Sequence, residues 1–194
     1  MLTQPPIEAD ASVLFSVIAT LSKNLDSLES WLDSLLCQGH YQSTEILFVD
    51  IYAPHPERQL RIRCLLEEKG DEIAQSPYKF HFMEYRQNVD LNTCLNQAIA
   101  AASGKWIYFL HSDDRVLKHT FFEFAAVIKE FASVEVISGR FQSLNQHQEL
   151  TGKSPELATE GFVSAQFKDL FLYKNPLTSG CTLYRKDILQ KMVV

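Results

Sequence analysis

Short apolar runs alternate along the chain with segments in which apolar residues recur every three or four positions. The short runs predict β-strands, and the longer spacing predicts amphipathic helices. The first four predicted strands are 13–19, 45–51, 78–85 and 106–110. Predicted helices follow each strand, from Ser22 or Asn24 to Gly39, then at about 56–74, 90–104 and 119–131. Four strand–helix alternations in the first 132 residues favour an α/β fold, with a mostly parallel central sheet and helices on both faces.

The pattern is less regular after residue 132. An apolar stretch at 134–143 predicts one strand, and the polar residues 144–161, with two glycines and a proline, predict a loop. A short helix at 164–173, a strand at 180–184 and a helix starting at Asp187 complete the predicted elements. Earlier in the chain, Gly70 is expected to weaken or end the second helix.

Polar residues follow three of the predicted strands. In parallel sheets with right-handed crossovers, the carboxyl ends of the strands lie on one edge, where ligands bind in open α/β folds. Thr20, Asp50 and the cluster 111–114 are therefore expected to meet there. Asp50 taken alone also suits a helix cap or a solvated acid, but the shared edge favours contact with a ligand.

The segment His111-Ser112-Asp113-Asp114 has two interpretations. Adjacent carboxylates beside an imidazole can bind a hard cation, which prefers oxygen ligands. The same residues also suit a turn that ends in a helix cap, where aspartate is favoured. The segment alone does not decide between them, and Asp114 suits either role.

Composition narrows the class of protein. The chain has 194 residues, 46% of them hydrophobic, and a net charge of −6. We predict a single domain at 12–194 after a flexible tail at 1–11, and the acidic balance argues against a nucleic-acid partner. Four widely separated cysteines favour buried thiols in a reducing compartment. The longest apolar stretch, 13–21, is too short to span a bilayer, so we expect a cytoplasmic protein and leave peripheral membrane contact open.

Several segments resemble the motifs of one enzyme family. That family has Asn-x-Gly, Ala-Arg-Asn, Ala-x-Gly and Leu-Asp-x-Asp-Asp at fixed spacings. This chain matches those spacings without a gap, with the segments Asn88-Val89-Asp90, Cys94-Leu95-Asn96, Ala102-Ser103-Gly104 and Leu110-His111-Ser112-Asp113-Asp114. A later strand followed by an arginine is matched by 181–185. Over roughly residues 13–190 the chain resembles the family 2 inverting glycosyltransferases, which have a GT-A fold and use nucleotide-diphosphate sugars.

The resemblance implies roles for four residues. Thr20 and Asp50 would contact the nucleobase. His111 and Asp113 occupy the Asp-x-Asp positions, which implies that His111 contacts the ribose or the metal and that Asp113 holds Mn²⁺ or Mg²⁺ on the diphosphate of a UDP- or GDP-type donor. Five positions depart from the family pattern. Leu21, Leu95 and His111 replace a tyrosine, an arginine and an acid, and Ile51 and Tyr52 replace a second acid and a glycine.

Two functions of different classes follow. The first is transfer of a sugar, with inversion, to a hydroxyl of a sugar or lipid-linked acceptor in cell-surface polysaccharide synthesis. The second is a non-catalytic GT-A-like domain that binds a nucleotide or a partner. A phosphoryl-transfer enzyme with the same strand-end acids is a third, weaker candidate. The resemblance also leads us to expect an incomplete acceptor side and a catalytic base beyond Val194, so that these residues alone would not transfer sugar.

Overall fold

A six-stranded sheet forms the centre of the computed structural model, which describes residues 14–38, 44–52, 55–85, 89–145, 149–153 and 179–192. Its strands lie in the order β3-β2-β1-β4-β8-β5. They are β1 (Phe15–Thr20), β2 (Thr44–Asp50), β3 (Lys79–Glu84), β4 (Trp106–His111), β5 (Val136–Ser138) and β8 (Thr182–Arg185). Two further strands, β6 (Gln142–Leu144) and β7 (Leu150–Lys153), form a separate antiparallel pair.

Helices follow the first four strands, as the alternating pattern predicts. They are α1 (Leu28–Leu36), α2 (Pro56–Glu68), α3 (Gly70–Gln75), α4 (Leu91–Ala101) and α5 (Thr120–Glu130), with a final helix α6 (Lys186–Met192). The second predicted helix is divided at Lys69, immediately before Gly70, as expected for a glycine in a helix interior. Asp90 caps α4 by accepting a hydrogen bond from the Thr93 amide at 3.0 Å.

Strands β1 to β4 are all parallel, and both faces of the sheet are buried. Val17, Phe48 and Tyr108 point to one face, where they pack with residues of α1 and α5. Ile18, Leu47 and Ile107 point to the other face, where they pack with residues of α4. The alternation of the two sets along each strand follows from the period of two in β-structure. The predicted α/β class, with a mostly parallel sheet between helices, is confirmed.

A close backbone contact joins β1 to the segment before β4. The Gly104 amide donates to Ser16 Oγ at 2.7 Å, and a β-carbon on Gly104 would lie 2.5 Å from the same oxygen. The buried Glu45 carboxylate accepts from Ser16 Oγ and from the Ser103 amide, both at 2.5 Å. Glycine in the Ala-x-Gly segment is therefore required by packing at the amino edge of the sheet.

The structure corrects the predicted elements after residue 132. The single strand predicted at 134–143 is wrong, because β5 ends at Ser138 and β6 belongs to another sheet. The chain leaves the central sheet at Gly139, whose amide donates to the Cys181 carbonyl at 2.8 Å. β7 lies within the predicted loop at 144–161, so that prediction is wrong for 150–153. β8 is antiparallel to both of its neighbours.

Some predictions fall on residues outside the described ranges. They are the tail at 1–11, the end of the first helix at Gly39, the Asn88 position and the helix at 164–173. Within the described ranges, every helix is too short or too polar to cross a lipid bilayer.

Candidate functional site

Three of the predicted site residues end neighbouring strands at one edge of the sheet. Thr20 pairs with Val49 of β2 and with His111 of β4, and Asp50 is the last residue of β2. Asp113 follows His111 by two residues in the turn after β4. The sequence-based expectation that these side chains belong to the same edge agrees with the register.

Ser112 fastens the turn after β4 to the loop after β1. Its amide donates to the Thr20 carbonyl at 2.9 Å, and its hydroxyl accepts from the Ser22 amide at 2.8 Å. Ser112 is fully buried, with 1% of its surface exposed. The β1–α1 loop (residues 21–27) is therefore held against the turn that carries Asp113. Sequence analysis gave Ser112 no role, and its only signal was a hydroxyl residue between two polar candidates.

These contacts also explain why the first helix begins later than expected. Ser22 and Asn24 were predicted as caps, but α1 begins at Leu28 with Ser27 before it. The Ser22 amide is used by Ser112, and Asn24 binds within the loop, where its side-chain oxygen accepts from the Asp26 amide at 3.1 Å. Local hydrogen bonds of this kind compete with helix formation.

Asp113 lies at the start of α1. Ser27 Oγ donates to Asp113 Oδ1 at 2.7 Å and also lies 3.0 Å from the Ser112 carbonyl. The Asp113 side chain remains 55% exposed. A carboxylate at a helix N-terminus is stabilised by the helix dipole, and its exposed oxygens remain accessible to a ligand. Ser27 is a second contact that sequence analysis missed.

His111 contacts Asp113 through Nδ1. The Asp113 amide lies 3.4 Å from His111 Nδ1 and can donate to this nitrogen when the nitrogen carries no proton. The same nitrogen lies 3.4 Å from Asp113 Oδ2, a contact that becomes an ion pair when the ring is protonated. The two positions that match the Asp-x-Asp motif are therefore neighbours, and both side chains are half exposed.

Asp114 belongs to a different environment. Its amide closes a turn on the His111 carbonyl at 3.0 Å, and its carboxylate lies against Gly180, where an added β-carbon would be 2.8 Å from Oδ2. Desolvation raises the pKa of the Asp114 carboxyl, the Asp113 charge raises it further, and His111 opposes the shift. α5 begins at Thr120 after His119, as predicted, so the alternative in which Asp114 caps this helix is excluded.

Asp50 is buried and paired. Arg58 Nε lies 3.0 Å from both carboxylate oxygens, and the Tyr52 amide donates to Oδ1 at 3.1 Å. Only 9% of each side chain of the pair is exposed. Asp50 is therefore neither a solvated acid nor the cap of a helix. Sequence analysis missed Arg58, although an arginine in the first turn of the next helix was a usable signal.

A cavity of about 420 Å³ opens between the β1–α1 loop and α2. Three basic side chains, an imidazole, an aromatic ring and one acid contribute to its wall. The lining residues are Lys23, Asn24, Leu25, Tyr52, His55, Glu57, Arg58 and Arg61. We call it the loop–α2 cavity. Its chemistry suits an anionic or aromatic ligand better than an apolar one.

The His111–Asp113 pair fits one kind of cation site. Among the described residues, no group of three or more His, Cys, Asp and Glu side chains could enclose a metal ion. Mg²⁺ is commonly bound by one or two carboxylates, with substrate phosphates and water as the other ligands. An exposed Asp113 with His111 beside it suits such a shared site, and the imidazole suits Mn²⁺ better than Mg²⁺.

Residues 65–193 match the sequence profile of the family described as glycosyl transferase family 2. The match covers more than half of the chain. The chain belongs to glycosyl transferase family 2. No curated protein matches it.

Two solved structures illustrate the proteins with a similar fold. S. aureus TarS 1–349 in complex with UDP-GlcNAc has a TM-score of 0.60 and 20% identity, over 93% of this chain and 47% of that chain. The mannosyltransferase PcManGT from Pyrobaculum calidifontis, in complex with GDP-Man and Mn²⁺, has a TM-score of 0.58 and 13% identity, over 98% of this chain and 50% of that chain. The chain therefore spans about half the length of these structures, and the likeness shows the GT-A fold.

Proposed function

We propose that this family 2 domain binds a nucleoside-diphosphate sugar, with a divalent cation, at the carboxyl edge of its sheet. The observation that carries the proposal is the convergence of Thr20, Asp50 and the His111–Asp113 pair at that edge, beside the loop–α2 cavity. The structures of similar fold that hold UDP-GlcNAc or GDP-Man with Mn²⁺ support the same class of ligand.

Each residue has a place in this proposal. The nucleobase lies in the loop–α2 cavity beside the ends of β1 and β2, near Thr20 and Asp50. Asp113 holds Mn²⁺ or Mg²⁺, and His111 contacts the ribose or the cation. When bound, the cation stabilises the negative charge that develops on the departing nucleoside diphosphate. In a complete form, the reaction is transfer of the sugar to a hydroxyl of a sugar or lipid-linked acceptor with inversion, in cell-surface polysaccharide synthesis.

A non-catalytic nucleotide-binding domain is the second candidate. Leu21, which stands where the family commonly has a tyrosine for stacking on the base, is 2% exposed and packs in the core. A buried leucine offers neither an aromatic ring nor an exposed surface on which a base could stack. Asp50 already has a cationic partner in Arg58. A nucleotide bound here would therefore depend less on the two base contacts that the family usually makes at the positions of Leu21 and Asp50.

Thermal unfolding with UDP or GDP, each with and without Mn²⁺, tests the proposal. A nucleotide at about 100 times its Kd adds about 2.7 kcal/mol to the free energy of unfolding, which raises Tm by several degrees for a domain of this size. We expect this shift only when Mn²⁺ is present with the nucleotide. An equal shift without the cation supports the second candidate, and no shift with any nucleoside diphosphate contradicts both.

A further inference from the structure

The Arg58 guanidinium joins the end of β2 to the β1–α1 loop. On one side, Nε lies 3.0 Å from both oxygens of Asp50. On the other side, the terminal nitrogens donate to the Ser22 carbonyl at 2.6 Å and to the Lys23 carbonyl at 2.8 Å. One side chain in the wall of the loop–α2 cavity therefore binds both the β1–α1 loop and the end of β2. Its planar fork of donors suits this task, whereas a lysine offers a single nitrogen.

The Asp50 carboxylate is largely used by these contacts. Oδ1 accepts from Arg58 and from the Tyr52 amide, and Oδ2 accepts from Arg58. Its negative charge is paired, and 6% of the residue is exposed. A carboxylate in this state is a poor partner for a polar edge of a base, because binding the base would require it to leave a buried ion pair.

The loop that Arg58 holds also reaches the other half of the candidate site. Ser22 contacts Ser112 through its amide, and Ser27 contacts Asp113 through its hydroxyl. The loop is thus fastened to β2 through Arg58 and to the turn after β4 through the two serines. A substitution of Arg58 would therefore alter the position of the loop, both at the cavity wall and beside Asp113, the residue proposed to hold the cation.

We propose that Asp50 acts on the nucleotide through Arg58, as one half of a clamp that positions the β1–α1 loop, and not as a direct ligand of the base. Arg58 is then a positioning residue for the nucleotide site. The inference rests on the proposed function, and it changes the role that the family resemblance gives to Asp50. It predicts that the two side chains work as a unit.

A double-mutant cycle distinguishes the two roles. The unaltered chain, Asp50→Asn, Arg58→Gln and the double variant are titrated with UDP and with GDP in the presence of Mn²⁺. The clamp predicts that each single variant loses about tenfold or more in affinity, and that the double variant is no weaker than either single one. Arg58→Lys keeps the positive charge but not the planar set of guanidinium donors. Its nucleotide affinity should therefore lie between that of Arg58→Gln and that of the unaltered chain.

Three results would overturn the clamp. Loss in Asp50→Asn with full binding in Arg58→Gln shows direct contact between Asp50 and the ligand. The reverse pattern shows direct contact between Arg58 and the ligand. Losses that multiply in the double variant show two independent contacts. Arg63→Gln is the charge-matched comparison, because it removes one positive charge from an exposed position of the same helix that is not among the residues lining the cavity; its loss should be smaller than that of Arg58→Gln.

Hydrogen exchange in the ligand-free protein tests the clamp separately. Arg58→Gln should speed amide exchange at 22–27 relative to Arg63→Gln, with the β4 amides unchanged. If the unaltered chain binds neither nucleotide, the proposed function fails, and the exchange still decides whether the clamp holds the loop. Equal exchange at 22–27 in the two variants contradicts the clamp even if nucleotide binds.

Discussion

The ends of β2 and β4 each carry an aspartate at the same edge of the sheet, but the two carboxylates are in opposite situations. Asp50 is buried and its charge is paired with Arg58. Asp113 is half exposed and is held by the Ser27 hydroxyl, with His111 beside it. The first therefore contributes to the shape of the edge, and the second is available to a ligand. Position at a strand end does not by itself make an acid a ligand-binding residue. Whether the carboxylate is available to a ligand depends on whether a neighbouring cation already neutralises it.

The largest expected effect is on stability at the β2 end. Arg58→Met leaves the Asp50 carboxylate buried without its cation, and breaking a buried pair in this way costs about 3–5 kcal/mol in the free energy of unfolding. Urea unfolding at neutral pH measures the loss. Asp113→Asn is the matched variant at the β4 end and should change stability by less than about 1 kcal/mol, because Asp113 is exposed. Similar losses in both variants would remove the distinction between the two acids.

The next effect is on binding at the β4 end. Asp113→Asn replaces a carboxylate with a neutral amide, which is a weaker ligand for Mn²⁺ or Mg²⁺. We expect the Mn²⁺-dependent part of nucleotide affinity to fall by about tenfold or more, equivalent to about 1.4 kcal/mol, in calorimetric titrations. Unchanged Mn²⁺ dependence in a folded variant would show that Asp113 is not the ligand.

A smaller effect is expected from Ser27→Ala. The substitution removes the hydrogen bond to Asp113 Oδ1 and the contact with the Ser112 carbonyl. Stability should fall by about 1 kcal/mol, and nucleotide affinity should fall less than in Asp113→Asn. Ser30→Ala is a control at the start of α1, since the Ser30 hydroxyl donates to the Ser27 carbonyl and not to Asp113. Equal effects of the two variants on nucleotide affinity would mean that Ser27 does not position Asp113.

The smallest effect is expected from His111→Ala. If His111 contacts only the ribose, its loss should reduce nucleotide affinity by a few-fold and leave the Mn²⁺ dependence intact, because Asp113 still holds the cation. Titrations with Mn²⁺ and with Mg²⁺ check this. Loss of the Mn²⁺ dependence alone would instead make His111 a ligand of that cation, as its softer nitrogen donor would favour.

The parallel half of the fold could be predicted from sequence because its signals are long and consistent. β1, β2 and β4 are strands of six or seven mostly apolar residues, and each is followed by a helix. The parallel arrangement then brings Thr20, Asp50 and Asp113 to one edge without any knowledge of side-chain contacts. β5 and β8, with three and four residues, pair with strands distant in sequence, and no local pattern specifies that pairing.

The candidate site could be predicted only in part. Strand-end position identified Asp50 and Asp113, but it did not reveal that Arg58 pairs with Asp50 or that Ser27 and Ser112 hold the turn after β4. These contacts join residues between 8 and 90 positions apart, and each depends on a side-chain direction that periodicity does not encode. The contact with Arg58 therefore changes the role inferred for Asp50 from a base ligand to part of a clamp, whereas the role proposed for Asp113 as a cation ligand is unchanged.

Electron paramagnetic resonance of Mn²⁺ shows directly whether Asp113 holds the cation, because the signal of the free aqueous ion falls when the ion is bound. The unaltered chain and Asp113→Asn are titrated with Mn²⁺ in the presence of UDP or GDP. We expect a loss of free-ion signal with the unaltered chain beyond that caused by the nucleotide alone, and little or no such loss with Asp113→Asn. The same loss with both proteins, or none with either, would contradict a nucleotide site in which Asp113 holds the cation.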